Sequence, residues 1–384
     1  MILRKLDQSE KNNTRPLWEE VFSEDTKEFL DYYYYIKTRE NEIYVVEEED
    51  KIRSMLHLNP YRIRVEDKIF PTAYIIAVAT EEPYRGRGCM RALLTRSLND
   101  MYGRKIPFTF LMPAAEAIYT PYDFRFIYSQ WIGDIACSDS NTEKSGQDVS
   151  FSDAGLWNAD EMAAFFEKYS VTPSMRWQIC TVRDSAYWQT VIMEQASERG
   201  GVRLIRENGE ITGMYCYAAE DGLEIREPLY FPDSEELFLS SVEELKRLSG
   251  RKNSVKVYAC PEQFAQEKKP VIMARIVCLS EFLGALTVPE SVEVDCSFAV
   301  IDPLITQNSR IWRVTSGADE RELHVRETED SEGVIPIADL TELLFGRISP
   351  EEAGERDGAI VPDHLAAELG KIRKLTDVFL NEIV

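Results

Sequence analysis

The sequence predicts an α/β (α+β) protein of three units, the first two sharing a hairpin pattern and the third a smaller strand-then-helix unit. Three observations predict it. A β-hairpin pattern occurs twice at one constant offset, a strand leads into a glycine turn and a helix start in the first half only, and a C-terminal stretch places three β runs ahead of two helical ones. A length of 384 residues suits three such units, and 44% hydrophobic residues can fill their cores, which excludes global disorder.

Met1 to Leu6 reads as a short strand, and Thr14 to Phe22 as a helix with Leu17, Val21 and Phe22 on one face. A second helical stretch holds the run Tyr32 to Tyr35. Glu42 to Val46 and Ile52 to Leu58 are β runs joined by the charged turn Glu47 to Lys51. The apolar β run Tyr74 to Val78 leads to Arg85-Gly86-Arg87-Gly88 and a helix carrying Leu93, Leu94, Leu98 and Met101 on one face. Strand Pro107 to Met112 and a short helix from Glu116 to Tyr122 follow. Ser138 to Gly155 is polar and poor in large apolar residues, as a linker or a long surface loop would be, and the first boundary is expected near Gln147.

Helical sequence at Asp160 to Tyr169 and Tyr187 to Ser197 precedes the second hairpin, Val202 to Arg206 and Ile211 to Tyr217 about an Asn-Gly turn. Ile211 and Met214 fall where Ile52 and Met55 stand in the first, so the hairpins are either one fold used twice or a chance likeness. The apolar segment Val271 to Leu286 ends at a second boundary near Thr287 to Pro289. Beyond it lie β runs at Val292 to Ile301, Ser309 to Thr315 and Arg321 to Arg326, then helices at Ala338 to Phe345 and Pro362 to Leu369. The expected domains are 1–147, 148–287 and 288–384.

With 44 Lys plus Arg against 67 Asp plus Glu, the net charge of −23 argues against nucleic acid or an anionic membrane as partner and favours cationic ones. The seven cysteines are scattered and never form a CxxC pair, which suggests neither a disulfide framework nor a zinc ribbon. No signal peptide opens Met1 to Asn12 and no window nears 18 apolar residues, so a reducing cytoplasm is expected, with no bound metal.

The strand, glycine turn and helix start at Arg85 to Met90 aim backbone N–H groups and the positive end of a helix dipole at one point. Arg85, Arg87, Arg91 and Arg96 concentrate positive charge there. The segment is either an anion site or a helix cap flanked by solvated arginines. It lacks the GxxxxGK signature of nucleoside triphosphatases and the GxGxxG of dinucleotide folds.

In this context RGRG resembles motif A of the GCN5-related N-acetyltransferases (GNAT), Arg/Gln-x-x-Gly-x-Gly/Ala, with Met90 at the last small position. Tyr122-Asp123-Phe124 stands where such enzymes have an aromatic-Gly-aromatic turn, and Asp tolerates left-handed backbone angles. The whole chain resembles the enhanced intracellular survival (Eis) family, most visibly in LMPAAEAIYTPYDF and KKPVIMARI. That resemblance implies tandem GNAT folds, the second without a cofactor motif, followed by a sterol-carrier-protein-like α+β domain. It also implies a homo-oligomer, a hexamer in the family.

The resemblance further implies acetyl-CoA as cosubstrate, with Ile76, Val78 and the segment Arg85, Gly86, Arg87, Gly88, Cys89 and Met90 serving pantetheine and pyrophosphate. Tyr119 matches the general acid that protonates the CoA sulfur, a role that suits a neutral phenol. The main-chain carboxylate of Val384 matches the general base, with Glu382 a competing carboxylate. Glu24, Asp25, Asp31 and the run Tyr32 to Tyr35, Tyr33 included, would wall an acidic acceptor pocket, which suits an aminoglycoside, a polyamine or a lysine side chain. His57, read as ending a strand, is either a cleft residue or a partly buried strand histidine. His57, His324 and His364 do not form a triad and no nucleophile elbow occurs, so direct attack is preferred to a covalent route. The alternative is a protein that holds CoA or an apolar ligand without turnover.

Overall fold

The computed structural model describes residues 1–135, 148–172, 176–219, 222–250, 254–317 and 320–382. The first unit runs β1 (Ile2–Lys5), α1 (Arg15–Val21), α2 (Lys27–Tyr35), β2 (Glu42–Glu48), β3 (Lys51–Val65), β4 (Lys68–Thr80), α3 (Cys89–Gly103), β5 (Phe108–Leu111), α4 (Glu116–Tyr119) and β6 (Arg125–Ile135). The second runs β7 (Val149–Asp153), α5 (Ala159–Ser170), β8 (Ile179–Thr181), α6 (Ser185–Ser197), β9 (Gly201–Glu207), β10 (Glu210–Ala218), β11 (Glu224–Tyr230), α7 (Glu235–Leu248), β12 (Val255–Tyr258) and β13 (Ala265–Ile276). The third holds α8 (Leu279–Leu283), β14 (Val294–Ile301), β15 (Ile311–Ser316), β16 (His324–Thr328), β17 (Val334–Pro336), α9 (Ile337–Leu344), α10 (Pro350–Gly354), α11 (Asp363–Lys371) and β18 (Val378–Phe379).

The two hairpins repeat in detail. Val45 pairs with Met55 and Leu204 with Met214, and the second strand of each hairpin skips one residue, Arg53 and Thr212. Their turns both take positive φ, at Glu49 and Asp50 in the first and at Asn208 and Gly209 in the second. A second bulge follows in each unit, between Met55 and His57 against β4 and between Met214 and Cys216 against β11. Opposite these shifts Ala77 and Glu227 both have φ of 52°. Two ordinary hairpins would not share both irregularities, so one fold is used twice.

The units are laced together. Their strands form one sheet in the order β1-β2-β3-β4-β5-β13-β6-β12-β11-β10-β9-β7. β13 of the second unit thus inserts between β5 and β6 of the first, while β6 also pairs with β12. Gly133 permits this crossing, because a Cβ there would meet the Phe264 carbonyl oxygen at 1.9 Å. The third unit has its own four-stranded sheet, β16-β15-β14-β17, and packs onto the others through Phe108, Phe282 and Phe345, whose ring centroids lie 5.4 to 6.1 Å apart.

Two expectations are corrected. β3 continues to Val65, so His57 is mid-strand and not a strand end. The polar stretch expected to be linker or surface loop contains β7, which pairs with β9 at the sheet edge, where one face meets water and polar residues alternate freely; Gln147 lies outside the described residues. The apolar segment Val271 to Leu286 comprises the end of β13 and α8. Among the described residues no helix is long and apolar enough to cross a membrane.

Candidate active site

β4 and β5 run parallel but pair at one position only, Tyr74 with Phe110. Side chains lock that crossing: Thr72 Oγ1 donates to the Phe108 carbonyl at 2.5 Å and Thr109 Oγ1 to the Ala73 carbonyl at 2.7 Å. Beyond it the strands part, so Ile75 to Thr80 have backbone groups with no ladder partner on the β5 side. The Ala77 bulge bends the same stretch, and Ile76 and Val78 are both half-buried beside the opening.

The glycine turn stands at the end of β4. Gly86 and Gly88 have φ of 73° and 82°, which glycine adopts without strain, and nothing lies within 4 Å of a Cβ built on either. α3 begins at Cys89, and its first carbonyl-bound amide is Ala92, which donates to Gly88 at 3.0 Å. The amides of Cys89, Met90 and Arg91 come before it and point out of the helix start. Arg85 Nε donates to the Thr80 carbonyl at 3.2 Å, and Arg87 lies 4.7 Å from the Tyr84 ring centroid, so both cations are held at the rim.

The second unit offers no such site at the matching place. After β11 comes Phe231-Pro232-Asp233-Ser234, and α7 opens with Glu235 and Glu236, carboxylates that occupy and neutralise a helix N-terminus.

Tyr119 closes α4 and is buried with Ile75, Cys89, Leu111 and Phe124, beside the parted strands. Burial pushes its phenol up to about 12, so it keeps its proton at neutral pH and can donate it.

A cavity of about 1260 Å³ lies between the first two units. It reaches the β4/β5 crossing at Thr72, Ala73 and Met112, and is walled by α2, β3, α6 and the chain's last described residues, Asn381 and Glu382. Glu24 and Asp25 line it, and neither has an ion-pair partner among the described residues. Burial raises the Asp25 carboxyl, opposed by a 2.6 Å hydrogen bond from Trp18 Nε1. The deeper carboxylates are already neutralised: Glu194 by Lys37 at 3.5 Å, and Glu198 by Arg226.

The tail reaches the cavity because β18 pairs with β8, which pairs in turn with β3. Phe379 stacks on Trp177 with centroids 4.1 Å apart. Glu382 then accepts from Tyr187 Oη at 3.1 Å and lies 3.6 Å from Arg183, whose other partner is Glu227. Asn381 also donates to Glu227 at 2.7 Å. Burial raises the Glu382 carboxyl and Arg183 opposes it, so Glu382 is held as the tail's anchor. Val384 lies outside the described residues.

Tyr33 and His57 do not line the cavity. Both are wholly buried in the core formed by Trp18, Phe29 and Tyr34, because α2 turns its Tyr33 face inward; Tyr33 Oη is 3.3 Å from His57 Nδ1 and donates to Asn59 at 2.9 Å. Burial drives His57 down to about 3 from its ordinary 6.5, so the unfolded chain binds a proton there that the folded chain refuses. Stability is then lost as pH falls, by about 1.4 kcal/mol per pH unit below the unfolded value. Between pH 7 and 5, urea denaturation should show wild type losing about 2 kcal/mol more than His57→Gln; equal losses would remove His57 as the cause. Arg183, Glu227, Lys37 and Glu194 were not singled out in the sequence; a charged residue inside the β-rich run IREPLY was the one local signal for Glu227.

Residues 3–127 match the family model described as an acetyltransferase (GNAT) domain. Residues 3–127 are a GNAT acetyltransferase domain. Residues 279–382 match the sterol carrier protein domain. No curated protein matches the chain's sequence. Among solved structures, a probable N-acyltransferase from Enterococcus faecalis superposes with a TM-score of 0.79 at 19% identity, covering 96% of each chain. A GCN5-related N-acetyltransferase from Anabaena variabilis gives 0.75 at 18%, covering 97% of each. Eis1 from Mycobacterium abscessus gives 0.67 at 16%, covering 96% of each. The fold is therefore Eis-like over the whole chain, and GNAT acetyltransferases use acetyl-CoA.

Proposed function

We propose that the protein transfers an acetyl group from acetyl-CoA to a primary amine of a cationic small molecule, such as an aminoglycoside or polyamine, or to a lysine, by direct attack. The observation that carries this reading is the parting of β4 from β5 beside the glycine turn, opening at the large cavity. The backbone groups of Ile75 to Thr80 on the side away from β3 suit the pantetheine arm, and the amides at the start of α3 with Arg85 and Arg87 suit the pyrophosphate. A thioester held in that gap would lie beside the cavity. The amine enters from the Glu24 and Asp25 side, drawn by two adjacent carboxylates. It must lose a proton, attack the carbonyl carbon and displace the thiolate. Tyr119 protonates the leaving sulfur. The base is assigned by the family resemblance to the main-chain carboxylate of Val384; the competing Glu382 is committed to Arg183 and Tyr187.

Tyr119→Phe keeps the ring and removes the proton. It should slow turnover on the order of 10²-fold with acetyl-CoA affinity within about twofold, as for loss of one general acid. Stopped-flow detection of free thiol measures it, and an unchanged chemical step would return Tyr119 to packing.

A further inference from the structure

We infer that Arg275 is a positioning residue for Tyr119, tying the turn that carries the acid to the sterol carrier protein domain. This deepens the proposed function and rests on Tyr119 being the acid.

Arg275 belongs to β13, the strand that the second unit lends to the first, and it is 0% exposed. Its guanidinium is used on every edge. Nε donates to the Tyr122 carbonyl at 3.0 Å, Nη1 to the Ile276 carbonyl at 2.9 Å, and Nη2 to Asp302 Oδ1 at 2.5 Å, with Asp123 Oδ2 3.5 Å away. Asp302 is itself fixed, accepting from the Leu304 and Ile305 amides at 3.0 and 2.8 Å and from Asn308 Nδ2 at 2.9 Å. Leu304 and Ile305 share a core with Tyr119, Phe124 and Met273.

A planar fork held at four points is a rigid strut, which Lys could not reproduce. What it holds is the one 3-10 turn after Tyr119, Thr120 to Tyr122, and the left-handed Asp123 at φ 67°. So short a turn transmits any shift of the Tyr122 carbonyl to the Tyr119 ring. A displacement of 1 Å in a catalytic group can cost about 10²-fold. The strut thereby joins all three units: the acid lies in the first, its brace Arg275 in the second and the anchor Asp302 in the third.

The test compares Arg275→Met, Arg275→Lys and Asp302→Asn in two backgrounds, wild type and Tyr119→Phe. In wild type, kcat should fall about 10- to 50-fold with acetyl-CoA affinity within about twofold, whereas in Tyr119→Phe the same changes should alter kcat by less than about twofold. Asp302→Asn keeps size and an acceptor oxygen, so it carries the test if either Arg275 variant fails to fold. Equal losses in both backgrounds would show a general structural role and overturn the inference. So would folded variants with wild-type kcat while Tyr119→Phe is slow, which leaves the acid assignment standing. A wild-type rate for Tyr119→Phe alone would remove both.

Discussion

Gly88→Glu should abolish acetyl-CoA binding while leaving the protein folded. Gly88 has φ 82° and caps α3, and no atom lies within 4 Å of a Cβ there, so the substitution adds only backbone strain of about 1 to 2 kcal/mol. The new carboxylate, by contrast, stands at the helix N-terminus where the pyrophosphate would lie. It would cap those amides and repel the phosphates, weakening binding by at least about 10³-fold. Calorimetric titration should show one site per chain in wild type and none in the variant, with Gly88→Ala retaining most of the affinity as the control for strain. Two sites per chain in wild type would instead assign a site to the second unit, whose α7 opens on Glu235 and Glu236. Binding that survives Gly88→Glu would move the site away from this turn.

Deleting Asn381 to Val384 should leave acetyl-CoA affinity intact and remove most activity, on the order of 10²-fold or more for loss of a general base. β18 and the stacking of Phe379 on Trp177 survive the deletion, so the third unit stays docked. Extending the chain beyond Val384 should act similarly by displacing the carboxylate. Glu382→Gln separates the two acids. It keeps the Tyr187 hydrogen bond but weakens the ion pair with Arg183, so it should lower thermal stability while activity falls far less than on deletion. If Glu382→Gln matches the deletion, Glu382 is the base. If deletion and extension both run at wild-type rates, solvent or another group takes the proton.

The glycine turn was legible because its information is local. Arg85 to Met90 needs no partner: two glycines set the backbone, the helix that follows sets the amides, and the preceding β run sets the direction. Asp123 was legible for the same reason, since a left-handed turn selects its own residue types, and it takes φ 67°. Tyr119 stood out through its neighbours in sequence, LMPAAEAIYTPYDF. The tyrosine run misled for want of such context. Helical spacing places Tyr33 on one face, but burial decides whether that face meets a cavity or a core, and here Trp18 and His57 close over it.

By itself the sequence determined the α/β class, the repeated hairpin, the glycine turn and the strand-then-helix tail, because periodicity and turn chemistry act over a few residues. Only the tertiary structure decided that β13 completes the first unit's sheet and that β18 carries Glu382 into the cavity. It alone brought Arg275 to the turn beside Tyr119 and Arg183 to Glu227 and Glu382. These contacts join residues that are 44 to 199 positions apart, and their energy depends on burial, which exists only once the chain has closed. A lone arginine in a β run reads as solvated; inside the closed sheet it must find its acceptors, and where it finds them is a property of the whole fold.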